Sequence, residues 1–170
     1  VREEDIIAGL DAVSKRDKKI AKALKAAGYP GPRLRDRGYR TLLRTIVGQQ
    51  VSVAAANSMW RKLEAFLGEE MPAEALLAAE FDELRACGLS RQKQGYARSL
   101  CELVASGELD LHNLPEDDEE AIELLTRIKG IGRWSAEIYL LFAEGRADVF
   151  PAGDLAVLIE LGKLMGLDGK

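Results

Sequence analysis

The sequence predicts an all-α protein, on three observations. Apolar residues recur at helical spacing almost throughout, no segment alternates apolar and polar residues long enough to be a strand, and the joins between periodic segments are short and carry helix start signals. With 170 residues, 47% of them hydrophobic, the chain can bury a core without disulfides or metals. No apolar run approaches the roughly 20 residues a membrane helix requires, and the first residues are charged rather than signal-like, so a soluble intracellular protein without membrane partners is expected.

In chain order, helices are predicted at 3–12 and 16–27. "YPGPRLRDRGY" then marks a candidate boundary between an N-terminal portion and the main body. Beyond it, Tyr39, Leu42, Leu43, Ile46 and Val47 form one helical stripe, and Ala56, Met59, Trp60, Leu63 and Leu67 form the next, behind Ser52 at an N-cap position. Pro72 introduces an acidic first turn for 73–87, Ser90 caps 91–106, and Pro115 introduces 116–127. Helices at 134–143 and 155–165 complete the series.

The formal charge of −4 argues against a polyanionic partner, but its distribution is segregated. Ser14 to Arg40 holds ten Lys or Arg against two Asp, whereas Glu69 to Glu83 and Glu116 to Glu123 hold six acids each and no base. One basic face could meet nucleic acid while acidic faces keep the protein soluble, although a basic run is also an ordinary solvated helix face. Cys87 and Cys101 form neither a disulfide framework nor a zinc or iron–sulfur ligand set and are expected to be buried thiols. His112, the sole histidine, is expected to be structural.

"IKGIGRWSAE" joins two predicted helices. Gly130 and Gly132 allow positive φ and close approach of another backbone. The N–H groups that open the next helix, with Arg133, would suit a phosphate. Such a turn could grip a nucleic-acid backbone without reading sequence, or simply cap two packed helices. Asp154 stands 22 residues after Gly132 (154 − 132), where a Pro-Ala-Gly turn delivers it to the start of a helix. It could be an N-cap and nothing more.

Together, the hairpin and the later Gly-Asp turn resemble the helix-hairpin-helix DNA glycosylases, and from about Tyr39 to Leu161 the sequence is similar to their alkylpurine branch, the 3-methyladenine DNA glycosylase II family. Two further stretches carry the likeness: "RTIVGQQVS" (44–52) and "GLSRQKQGYARSL" (88–100). The resemblance implies a two-lobed all-α fold, with the active-site cleft between a central domain at 38–146 and a lobe made of 1–37 plus 147–170. It implies that Gln50 is the wedge replacing an extruded nucleotide and that Gln49 lies near the pocket opening. Lys129, Gly130, Ile131, Gly132, Arg133, Ser135, Arg91 and Lys93 would meet the DNA backbone, and the carbonyls of Thr126, Ile128 and Ile131 would hold a monovalent cation, sodium or potassium. No other cofactor and no iron–sulfur cluster is implied.

Where lyase-competent relatives carry a nucleophilic lysine, this sequence has Trp134, so the expected reaction is hydrolysis without a Schiff base. Asp154 would be the catalytic carboxylate, through electrostatic stabilisation first and base catalysis second. A cationic alkylated purine would sit against Trp134, with Tyr39, Tyr139 and Phe150 as weaker pocket candidates and Trp60 in the core. Ile138, where an aromatic can line the pocket, and Gly153 before the aspartate depart from some relatives. The partner expected is double-stranded DNA with alkylated bases, bound by a monomer in the bacterial cytoplasm (nucleoid) or the eukaryotic nucleus. Two rivals remain: a noncatalytic helix-hairpin-helix module, which would need neither Asp154 nor Gln50, and a glycosylase for another lesion.

Overall fold

The structure is a computed structural model that describes residues 2–167, and its described elements are helical, with no strand among them. The chain divides into two units, one of residues 36–139 and one of residues 1–35 with 140–170. The second boundary falls earlier than the expected 146: a π-helical turn, Leu140–Glu144, follows the helix ending at Tyr139, and its Phe142 carbonyl accepts from Arg35 N at 2.9 Å. The turn is thereby tied to the segment before residue 36.

The unit of both chain ends contains α1 (Glu3–Arg16), α2 (Lys18–Ala27) and α10 (Leu155–Met165). Asp17 separates the first two because its carboxylate accepts from Lys19 N (2.7 Å) and Ile20 N (3.1 Å), which starts a new helix where the sequence reading had placed residues 16–27. None of α1, α2 or α10 has a fully buried residue.

The central unit holds α3 (Tyr39–Gly48), α4 (Val53–Leu67), α5 (Ala73–Ala78), α6 (Phe81–Ala86), α7 (Arg91–Ala105), α8 (Asp118–Thr126) and α9 (Arg133–Tyr139). Its core is the predicted stripes: Leu42, Leu43, Ile46, Val47 and Leu63 are at most 1% exposed, and α7 adds Ala97, Leu100 and Cys101. Trp60 is buried, its indole N–H donating to Glu64 at 2.7 Å. The helix expected at 73–87 is two short ones. Arg98 donates to the carbonyls of Leu77 (2.8 Å) and Ala79 (2.5 Å), satisfying the end of α5, while Glu83 accepts from Glu80 N and starts α6. No described helix is long and apolar enough to cross a membrane.

Candidate functional site

The hairpin lies between α8 and α9. Asp117 caps α8 by accepting from Glu120 N at 2.9 Å, and Ile128 and Ile131 are buried, which pins the turn from inside. Lys129 N donates to Ser99 Oγ at 3.2 Å. Gly130 has φ +84°, and a Cβ there would lie 2.2 Å from Tyr96 Cδ2, so only glycine fits. Gly132 differs from expectation: its φ is not in the left-handed range, and a Cβ there would meet nothing within 4 Å. The protein's own packing does not require that glycine, and Gly132, Arg133 and Trp134 are all exposed. Ser135 is half-buried.

Arg133 is not simply directed outward. Its guanidinium makes a two-bond ion pair with Glu119, one bond at 2.7 Å, and its Nε donates to Glu137 at 2.9 Å. The Glu119 hydrogen bond raises the arginine pKa further above its ordinary value, and the same bond holds the Glu119 carboxyl below its own.

The turn between α3 and α4 presents Gln50, exposed and with φ +54°. Ser52 then caps α4, accepting from Ala55 N at 3.2 Å. Half-buried Gln49 donates from Nε2 to the Gly130 carbonyl at 2.7 Å. Lys93 departs from the expected backbone contact: its side chain is buried, and Nζ donates to the Val47 carbonyl at 2.7 Å. Desolvation lowers its pKa. Arg91 is exposed, with its guanidinium 5.0 Å from the Phe81 ring centre.

The pocket candidates separate. Trp134 is 48% exposed and Phe150 59%, but Tyr139 is only 3% exposed, with its hydroxyl accepting from Gly38 N at 2.7 Å. Tyr39 is half-buried, its hydroxyl 3.4 Å from Cys101 Sγ; burial pushes the phenol up and the thiol up to about 11. Tyr139 is thus part of the central unit's core, while Tyr39 is held half-buried beside it.

Asp154 caps α10: Oδ1 accepts from Ala156 N (2.9 Å) and Val157 N (3.1 Å). Its own N–H donates to the Pro151 carbonyl at 2.9 Å, which fixes the turn as the sequence suggested. Asp154 as a residue is half-buried. The central unit therefore joins the Gln50 turn to the hairpin, while Asp154 and Phe150 belong to the other unit. The sequence reading missed Tyr96 and Ser99, which brace the hairpin from α7; both lie about 30 residues before their partners, and no local pattern marks such a pairing.

Among the described residues no cluster of three His, Cys, Asp or Glu could hold a metal. At the hairpin the available donors are neutral carbonyls. That of Ile128 accepts from Ile131 N at 3.0 Å and keeps a second lone pair, a donor type that suits a hard monovalent ion.

Residues 43–170 match the family described as "HhH-GPD superfamily base excision DNA repair protein". DNA-3-methyladenine glycosylase 1 of Schizosaccharomyces pombe is 37% identical over 123 residues, 70% of this chain and 54% of that protein. Among solved structures, a DNA-3-methyladenine glycosidase from Bacillus halodurans superposes with a TM-score of 0.78 at 31% identity, covering 89% of this chain and 79% of that one. The 3-methyladenine DNA glycosylase of S. pombe, solved with abasic DNA, gives a TM-score of 0.75 at 29% identity, covering 98% and 81%. The chain spans about half the length of the curated relatives it matches.

Proposed function

Because the chain belongs to the HhH-GPD superfamily of base excision DNA repair proteins, we propose that it acts as a monofunctional DNA glycosylase, hydrolysing the N-glycosidic bond of alkylated purines of the 3-methyladenine and 7-methylguanine type in duplex DNA. The observation that carries this reading is the joint presence, in one chain 37% identical to a 3-methyladenine glycosylase, of the Gln50 turn, the open hairpin and the Asp154 cap.

A base inside a duplex must leave the stack before its glycosidic bond can be reached, at a cost of a few kcal/mol. Gln50, on an exposed turn, fills the vacated space. The hairpin grips the backbone through its main chain, with exposed Gly132 letting a phosphate approach. The carbonyls of Thr126, Ile128 and Ile131 would hold a sodium or potassium ion, which would supply positive charge for the DNA backbone. Trp134, half-exposed at the start of α9, is the ring that would meet a cationic base.

As the bond breaks, its electron pair leaves with the cationic base and neutralises it, positive charge develops on the sugar, and water adds at the anomeric carbon and loses a proton to solvent. A carboxylate about 4 Å away, at an effective dielectric near 20, stabilises that charge by about 4 kcal/mol, or about a thousandfold in rate. Asp154 fills this role. Trp134, at the position of the lyase lysine, leaves no amine there for a Schiff base.

The test is release of free 3-methyladenine and 7-methylguanine from methylated duplex DNA by the parent and by Asp154→Asn. Asparagine caps helices about as well as aspartate, so this variant keeps the fold of α10 and removes only the charge. Release by the parent alone supports the reading. Release by neither, with DNA binding intact, favours the noncatalytic module or another lesion, and equal release by both removes Asp154 from the chemistry.

A further inference from the structure

Within the central unit the Gln50 turn and the hairpin are joined through α7. The Val47 carbonyl is one of the last of α3 and has no helical donor of its own; Lys93 Nζ supplies one at 2.7 Å from a side chain only 9% exposed. A buried ammonium is retained only where such a bond compensates it. On the other side, Gln49 Nε2 donates to the Gly130 carbonyl at 2.7 Å. Gly130 abuts the Tyr96 ring, Lys129 N donates to Ser99 Oγ, and both supporting residues are on α7 with Lys93. Immediately after these two tethered residues, Val47 and Gln49, stands Gln50 at φ +54°, a backbone conformation that a side chain disfavours and that its surroundings must hold in place.

We propose that Lys93 and Gln49 are positioning residues that lock the Gln50 turn and the hairpin into one rigid jaw. The wedge then enters the duplex at a fixed depth relative to the phosphate grip. Neither residue needs to touch the reacting atoms. The inference rests on the DNA reading above, in that Gln50 enters the stack and the hairpin grips a phosphate.

The test uses a duplex carrying 2-aminopurine opposite an abasic site, whose fluorescence reports insertion, together with affinity for the abasic duplex relative to an unmodified one. In the folded parent the signal rises on binding, and Gln50→Ala removes the rise. Lys93→Met and Gln49→Leu each lower the preference for the abasic duplex about tenfold, leave unmodified-duplex affinity unchanged, and cause no further loss in the Gln50→Ala background. A purely structural role predicts equal losses in both backgrounds and would overturn the proposal, as would full insertion by the single variants. If Lys93→Met does not fold, Gln49→Leu decides, because its bond lies at the surface. Insertion by a parent that releases no base refutes the excision reading alone; a parent without any insertion signal refutes the jaw.

Discussion

Replacing Gly130 with alanine would place a Cβ 2.2 Å from Tyr96 Cδ2 and 2.5 Å from two other atoms of that ring, at φ +84°. The left-handed backbone costs about 1–2 kcal/mol for a residue with a side chain. Overpacking adds about 1–3 kcal/mol, at the low end if the ring swings aside. Tyr96 is not free to do so without loss, because its hydroxyl accepts from Gln92 at 2.6 Å. Gly130→Ala should therefore cost about 2–5 kcal/mol, a large share of the ~5–15 kcal/mol that holds a domain together. Gly132→Ala is the control: with open space and no left-handed φ, it should leave stability unchanged or raise it by up to ~1 kcal/mol, yet weaken duplex binding at every sequence, since the added methyl stands where a phosphate would approach. Urea denaturation measures the first effect and fluorescence anisotropy with duplex DNA the second. Unchanged stability of Gly130→Ala would refute the packing argument, and parent-like affinity of Gly132→Ala would refute the close approach.

Glu119→Gln should release Arg133 towards DNA, tightening binding and steepening the slope of log affinity against log salt by about 0.9, read by anisotropy at several salt concentrations. The folded Glu119 carboxyl titrates below its ordinary 4.5, so its contribution is full above that value and lost as pH falls through the lower folded value; acid denaturation of Glu119→Gln should lack this component. Trp134→Leu should slow excision of the cationic base by about 2- to 30-fold while leaving the melting temperature unchanged, as measured by initial rates and thermal denaturation. Cys101, buried and pushed up to about 11, should resist thiol reagents at pH 8 in the native protein and react on addition of guanidinium; ready native labelling would contradict its placement.

Most of the helices were legible because their signals are local. The stripe Leu42, Leu43, Ile46 and Val47 is buried as its spacing required, and Ser52, Ser90 and Asp154 accept the backbone bonds expected of N-caps. A cap involves residues two or three apart, so neighbours in sequence suffice to predict it. The hairpin could be seen for the same reason, as glycines between two periodic segments. The fates of individual polar and aromatic side chains could not. The resemblance implied that Lys93 meets the DNA backbone, and 73–87 read as one helix. A carbonyl 46 residues away and the Arg98 guanidinium decided otherwise, and no local pattern marks the bond from the Gly38 amide to the Tyr139 hydroxyl. The sequence alone determined the all-α class, the cores of its helices, the hairpin and the Asp154 turn. Only the tertiary structure decided that Gly130 rather than Gly132 is sterically required, and that the Gln50 turn is tethered to the hairpin, because a buried donor takes whichever acceptor the packed chain brings within reach.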